Sequence, residues 1–443
     1  MQSSNTADTT LNNEQAQHGS DYLRNMTLLL VSTLTVMAGA TIAPSLPAMA
    51  DKFSSIQHID FWVQMAMTLP GLAITLSAPF IGRYVDIYDK KLLLIISVIS
   101  YGVLGTAAMV VSHSLSAILI LRFLLGISVA GIMVTCTTLF SDYYAGPKRG
   151  HYLGLQAAFG GFGGVVFIAT ANSLAGANWL YPFALYGLAF LTLPAIMLWA
   201  VNPMKMSAPQ ATSIPQANAQ PQTTPLNATK HNTQPRDYLL WGCCALAIVE
   251  ILALYAIPVH LPFYLQALNT SAAANAQYSG YFIALMLLVM AVTASQYHRF
   301  QPITSTHRLH AGGFGIIALG FIFWATSQQA LLDIKSPLMS QLALMAILII
   351  LGFGLGVIRP NLITWLMSRC PPEQRGQKMG KLTSCFFIGQ FITPIATLPL
   401  LSIHLFIPTE AVTEANYTLL FTVLGSLCLI AAIGCLYWGK EKP

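Results

Sequence analysis

The chain has 443 residues, 55% of them hydrophobic and only 8% charged. Soluble globular domains carry about 25% charged residues, so the composition excludes a string of soluble domains. The net charge of +6 therefore needs an explanation other than nucleic-acid binding.

In chain order, a polar tail over residues 1–25 comes first and reads as disordered. It lacks the early basic region and short apolar core of a cleaved signal. Twelve apolar runs follow, near 26–48, 61–81, 92–110, 115–140, 152–172, 179–201, 238–266, 277–297, 312–331, 339–366, 383–404 and 417–438. About 20 apolar residues cross the roughly 30 Å hydrocarbon core as a helix. A backbone there has no water to bond, so only helices or closed barrels span it, and continuous rather than alternating runs select helices. Between the sixth and seventh runs lies 202–237, rich in Pro, Gln, Thr, Asn and Ala and without hydrophobic periodicity. It reads as a flexible linker. The expected fold is an all-α polytopic membrane protein with twelve transmembrane helices in two six-helix halves, 26–201 and 238–443.

The halves echo each other. "RGHYLG" (149–154) and "RGQKMG" (375–380) each stand between the fourth and fifth helix of a half, and "IAPSLP" (42–47) has a counterpart in "IPVHLP" (257–262). Two six-helix repeats around a central cavity is a transporter arrangement. Lys and Arg are retained on the cytoplasmic side in short loops. With the N-terminus inside, 17 of the 21 basic residues fall in inside segments and only Lys52 and Lys335 fall outside. The positive charge is thus a topology signal for a multi-pass inner-membrane protein with both termini and the linker in the cytoplasm. None of the seven cysteines falls in an outside loop, so no structural disulfide is expected, and Cys243–Cys244 reads as helix packing. No CxxC, HExxH or phosphate-binding-loop pattern occurs, so neither a metal, a cofactor nor ATP is expected.

The loop after the second run, "GRYVDIYDKK" (82–91), crowds Arg83, Asp86, Asp89, Lys90 and Lys91 between two apolar segments. It resembles the loop between the second and third helices of the major facilitator superfamily, Gly-x-x-x-Asp-Arg-x-Gly-Arg/Lys-Arg/Lys. Gly82, Asp86, Lys90 and Lys91 fit; Ile87 and Asp89 depart from it. Gly82 would let helices approach closely, and Asp86 would accept from amides at a neighbouring helix N-terminus. Lys90 and Lys91 would pair with carboxylates of the opposite half and latch the cytoplasmic side. The plainer reading makes all these charges topology anchors. In detail, "TVMAGATIAPSLPAMADKF", "WLYPFALY" and "LPFYLQAL" are similar to the drug and sugar efflux branch, including arabinose-efflux-like permeases. The fifth run, "GLQAAFGGFGGVVF", has the glycines of the exporters' motif, with Gly160 and Gly164 as packing positions, but lacks its Gly-Pro.

Three residues charged at neutral pH lie well inside runs: Arg122, Glu250 and Arg359. Each costs about 2.5–3.5 kcal/mol at a helix centre, so such residues face a cavity or a partner. They fall on the fourth, seventh and tenth runs, which the resemblance places, with the first, around the central cavity. Arg122 with Gly126 matches the family's Arg-x-x-x-Gly, whose arginine the resemblance ties to proton coupling; an arginine held by backbone carbonyls is the alternative. Glu250, the only carboxylate within a run, lies roughly 18 Å from the cytoplasmic start of its helix. It reads as a proton carrier or as a static partner of an arginine. Arg359, before Pro360 in a Gly-interrupted helix, reads as that partner or as a receptor for a substrate anion. His260, between Pro258 and Pro262, is the remaining titratable candidate, with a structural hydrogen bond as its plain reading. Trp62, Tyr101, Tyr255, Phe263, Tyr264 and Trp365 offer an apolar surface, or simply packing.

Together these expectations describe a proton-coupled secondary transporter, acting as a monomer in a lipid bilayer. It would export a small drug-like or sugar-like organic molecule by antiport. The alternatives are a proton symporter importing a small, anionic solute and, from another class, a membrane-embedded enzyme or sensor. No nucleophile–base constellation supports an enzyme, and no polar segment longer than the 36-residue linker supports a sensor.

Overall fold

The computed structural model describes residues 21–39, 41–144, 146–200, 237–267, 278–300, 304–333, 337–370, 374–402 and 412–438. The described chain is helix and turn, with no strand among the described residues. Eleven helices are long and apolar enough to cross a membrane, and a further apolar helix, Ser279–Ser295, has 17 residues. All twelve expected runs are therefore helical. They are numbered here in chain order: residues 21–39 continued by Leu46–Lys52, Ile59–Ile87, Lys90–Ala107, Leu115–Tyr143, Gly146–Ala177, Tyr181–Ala184 continued by Leu188–Trp199, Asp237–Ala267, Ser279–Ser295, Thr306–Asp333, Pro337–Ser368, Arg375–Ser402 and Val412–Trp438. The first begins at residue 21, inside the stretch expected to be tail. The rest of that tail, the linker over 202–236 and the C-terminal residues after Trp438 lie outside the described residues.

Local sequence explains two departures from plain helices. The first helix is described to residue 39; residues 41 and 42 form a turn, a 3-10 turn follows at Ala43–Ser45, and the chain is helical again from Leu46. Pro44 and Pro47, in the first turns of these two short elements, donate no backbone hydrogen bond and favour that break. The third helix starts at Asp89, whose carboxylate accepts from the Leu92 amide at 3.2 Å. This is an N-cap, which explains why an aspartate stands where the family pattern has glycine. Asp89→Ala is expected to cost about 1 kcal/mol of stability, read by denaturation in detergent, and to leave the transport rate unchanged. A variant of normal abundance that transports poorly would return Asp89 to the gate.

Within the first half, the second helix packs on the fourth, and the third on the fourth and sixth. Within the second half, the seventh packs on the eleventh, the eighth and ninth on the tenth, and the ninth on the twelfth. The halves meet along the fifth with the eighth and the second with the eleventh. Gly160 and Gly164 sit where the fifth helix rides on the first. A Cβ at Gly164 would lie 2.9 Å from Val36 Cγ1, and one at Gly160 3.2 Å from Val36 Cγ2.

The hydrogen bonds described between the halves gather at the end away from the basic loops. Gln64 faces His260 at 3.5 Å, the Gly280 amide donates to Asn172 Oδ1 at 2.8 Å, Ser173 and Tyr281 share a 2.7 Å hydroxyl bond, and Gln266 donates to Asp51 at 3.5 Å. The basic end differs. Gly82, expected at a close helix approach, has nothing within 4 Å of where its Cβ would stand, and the same holds for Gly154 and Gly380. Lys90 binds Asp142 of the fourth helix, and Lys91 donates to the Met197 carbonyl of the sixth at 2.7 Å. Both partners belong to the first half. The expected latch across the halves at Lys90 and Lys91 is therefore not formed in this arrangement, because the far end carries the contacts between halves. The side chain of Asp86 lies outside the described residues.

Candidate functional site

Two of the three intramembrane charges come together. Arg359 Nη2 lies 3.1 Å from Glu250 Oε1 and donates to Oε2 at 3.4 Å. The seventh helix brings the carboxylate and the tenth the guanidinium, and the eleventh adds Phe386, whose ring centroid lies 4.8 Å from the guanidinium carbon. The glutamate is fully buried, whereas the arginine side chain is 39% exposed. A charged side chain within an apolar helix ordinarily faces a cavity or a partner rather than lipid, and Arg359 has a partner on one side and open space on the other. The pair is also incomplete. Glu250 Oε1 and Arg359 Nε are both buried without a hydrogen-bond partner among the described residues, so the fork-to-fork geometry of a full arginine–carboxylate pair is not reached. Tyr255 borders the same region. A Cβ on Gly39 would lie 2.9 Å from the Tyr255 hydroxyl and 3.5 Å from Gln390 Nε2, so the first helix packs on Tyr255, whose hydroxyl is within electrostatic reach of both charges.

Arg122 does not join them. It is 1% exposed and its donors go to Ala66 O at 2.8 Å, Ala38 O at 2.7 Å and the Tyr186 hydroxyl at 2.7 Å. Both carbonyls are orphans of the backbone. Ala66 O would ordinarily accept from the amide of residue 70, and Pro70 has none. Ala38 O lies just before the turn at residues 41 and 42, where a helix's last carbonyls lack partners and its dipole favours a cation, and it also accepts from the Tyr186 hydroxyl at 3.3 Å. Gly126, one turn beyond Arg122, completes the clamp. A Cβ there would stand 2.7 Å from Ala73 Cβ and 2.8 Å from Pro70 Cα, so the Arg-x-x-x-Gly spacing admits the Pro70 turn of the second helix and satisfies its carbonyl. Of the two readings of Arg122, the arginine held by backbone carbonyls is the arrangement found here, and no contact joins it to Glu250 or Arg359 among the described residues.

His260 lies elsewhere again, fully buried in the seal at the far end. Its Nε2 is 2.9 Å from Thr397 Oγ1, and its Nδ1 faces the Gln64 amide nitrogen. The Thr397 hydroxyl donates to Thr393 O at 2.9 Å. It must therefore accept from Nε2–H, which makes Nδ1 the acceptor of the Gln64 amide. The histidine bridges the second, seventh and eleventh helices. Of the aromatic candidates, Tyr255 alone borders the central pair. Tyr101 bonds Leu34 O at 2.8 Å, Tyr264 stacks into a cluster with Trp324, Tyr417 and Phe421, and Trp365 packs against His310 and Trp438. Sequence reasoning did not find Tyr186, Gln64, Thr397, Gln390 or Phe386, which carry no pattern of their own. Pro70, a proline inside an apolar run, was a visible signal.

Comparison with known proteins agrees with this architecture. A family model described as Major Facilitator Superfamily matches residues 28–394 and 313–443. A niacin transporter of Acinetobacter baylyi is 27% identical over 132 residues, 29% of this chain and 28% of that protein, so the match spans under a third of either. Among solved structures, a D-xylose–proton symporter has a TM-score of 0.73 at 13% identity, covering 95% of this chain and 98% of its own. A bacterial homolog of the human lysosomal transporter Spinster, in an inward-facing and occupied conformation, has a TM-score of 0.69 at 15% identity, covering 94% and 96%. A nucleoside transporter mutant has a TM-score of 0.71 at 12% identity, covering 94% and 100%. At such identities the likeness is one of fold.

Proposed function

The chain belongs to the Major Facilitator Superfamily, a multi-pass membrane transporter rather than an enzyme, and on that premise we propose that it moves a small organic molecule by proton-coupled alternating access, with Glu250 carrying the proton. The observation that supports this is the Glu250–Arg359 pair. It is the one described ion pair away from the helix ends, half-satisfied and with its arginine partly exposed. An unpaired carboxylate in hydrocarbon is costly, so separating the pair favours arrival of a proton at Glu250. Both residues belong to the second half, so the pair parts by movement of the seventh helix against the tenth or by a competitor for Arg359, not by rigid rocking of the halves alone. Hydrogen bonds between the halves at the far end, with none described between them at the basic end, fit a state open toward the basic loops. With those loops in the cytoplasm of an inner-membrane protein, as the basic-residue bias argues, this state faces inward.

Export of a drug-like or sugar-like molecule by antiport is the direction that the sequence resemblance implies. Uptake of an anionic solute by symport is the second reading, and the partial exposure of Arg359 favours it. Solute flux in right-side-out and inverted vesicles, with a pH gradient imposed, tests both. A flux that follows the gradient and reverses with it is expected, and a flux indifferent to the gradient would remove proton coupling. The sign of the flux relative to the proton flow separates antiport from symport.

A further inference from the structure

Resting on the proton-coupled reading above, we infer that the substrate is a small organic anion, a carboxylate, that binds Arg359 by displacing Glu250, and that Glu250 takes up a proton as it is displaced. Three observations carry this. First, the pair hides its negative member and shows its positive one: Glu250 has no exposed surface, while the Arg359 side chain is 39% exposed. An entering solute therefore meets a cation. Second, the guanidinium is under-used. Only Nη2 reaches Glu250, at 3.1 and 3.4 Å to its two oxygens, and Nε donates to nothing described although it is buried. An arginine's planar fork matches a carboxylate through two parallel N–H donors, and this fork has donors to spare. Third, the Phe386 ring centroid lies 4.8 Å from the guanidinium carbon, a cation–π contact that favours the guanidinium's present position.

The exchange balances. Before binding, the Glu250 carboxylate neutralises Arg359. The substrate carboxylate takes over that role, and the one remaining negative charge, on Glu250, is removed by one proton from the water of the open end. Net charge at the site is the same before and after, which a low-dielectric setting demands. Substrate and proton are thereby bound together, and each raises the affinity for the other, since coupling between two sites is reciprocal. A neutral analogue cannot displace Glu250 and brings no proton. Tyr255 and Gln390, beside the backbone of Gly39, are the uncharged groups left to recognise the rest of the molecule.

The test uses the purified full chain in nanodiscs, weakly buffered, with a pH-sensitive dye. The probes are benzoate, nicotinate, gluconate and lactate, each compared with its neutral amide. At least one carboxylate is expected to bind with uptake of about one proton per molecule bound, and its amide to bind at least tenfold more weakly with no uptake. In Glu250→Gln, the same carboxylate is expected to bind at least as tightly, because its competitor is gone, and to take up no proton. The double variant Glu250→Gln/Arg359→Gln carries no buried charge at the pair, so it should fold, and it should bind acid and amide alike. Binding without discrimination between acid and amide, no proton uptake in the wild type, or no carboxylate bound at all would each overturn the inference. Failure here is distinct from failure of the transport reading. Carboxylate binding with proton uptake, but no gradient-driven flux in vesicles, would leave the site assignment standing and remove the transport cycle. Gradient-driven flux of an uncharged solute would do the reverse.

Discussion

Arg122→Gln should destabilise the protein by on the order of 2–6 kcal/mol, and adding Pro70→Ala should return part of that loss. The first figure follows from Ala66 O losing its donor and from Ala38 O being left with only the Tyr186 hydroxyl at 3.3 Å, at about 1–3 kcal/mol for each weakened carbonyl. The rescue follows from the helix itself. Alanine at position 70 restores the amide that Ala66 O lacks, so the guanidinium is no longer needed at that carbonyl. Ala38 O, just before the turn at residues 41 and 42, is not repaired and keeps the rescue incomplete. A double-mutant cycle by denaturation in detergent should show a coupling of roughly 1–3 kcal/mol between residues 70 and 122. Strict additivity would mean that Arg122 does not serve the Pro70 carbonyl. A guanidinium needed for proton transfer would gain nothing from a change of proline.

The second large effect concerns the central pair. Arg359→Gln alone leaves the Glu250 carboxyl buried without its cation, which costs about 3–5 kcal/mol while the charge persists and less once the group takes up a proton. The variant should therefore be depleted from the membrane. Glu250→Gln in the same chain should restore its abundance, because no buried charge is then left unbalanced. The restored double variant should still fail to move solute against its gradient. Recovery of abundance without recovery of transport separates the structural part of the pair from its functional part. A single Arg359→Gln of full abundance would show that Glu250 does not depend on Arg359 for its place in the fold.

The fold was legible because the bilayer dictates it: twelve runs long enough to span, with almost no charge inside them, leave the backbone no alternative to helix. Boundaries slipped where side-chain detail decides. The helix starting at residue 21 carries Asp21 and Arg24 as an ion pair at 2.9 Å, which reads as polar tail in the sequence. Asp89 was open to a better reading, since an aspartate just before an apolar run is a helix-start signal. For the site, intramembrane rarity picked out Glu250 and Arg359 correctly as a meeting pair. The same rule left Arg122 between two readings because it counts charge and not backbone. Whether an arginine meets a carboxylate or an orphaned carbonyl depends on which turn of which neighbour faces it, and no single sequence records that for Ala66 and Ala38. Lys90 and Lys91 were expected to reach the opposite half. They bond within their own, since the halves touch at the other end in this state.

The central claim is that Glu250 carries the coupling proton, and the most direct measurement compares two fluxes in Glu250→Gln vesicles of normal protein abundance. The amide mimics a permanently protonated Glu250. Accumulation or expulsion of solute driven by an imposed pH gradient should fall to background. Exchange of labelled for unlabelled solute across the same vesicles, which needs alternating access but no proton movement, should persist. Gradient-driven transport at the wild-type level in Glu250→Gln would contradict the account and place the proton on another group.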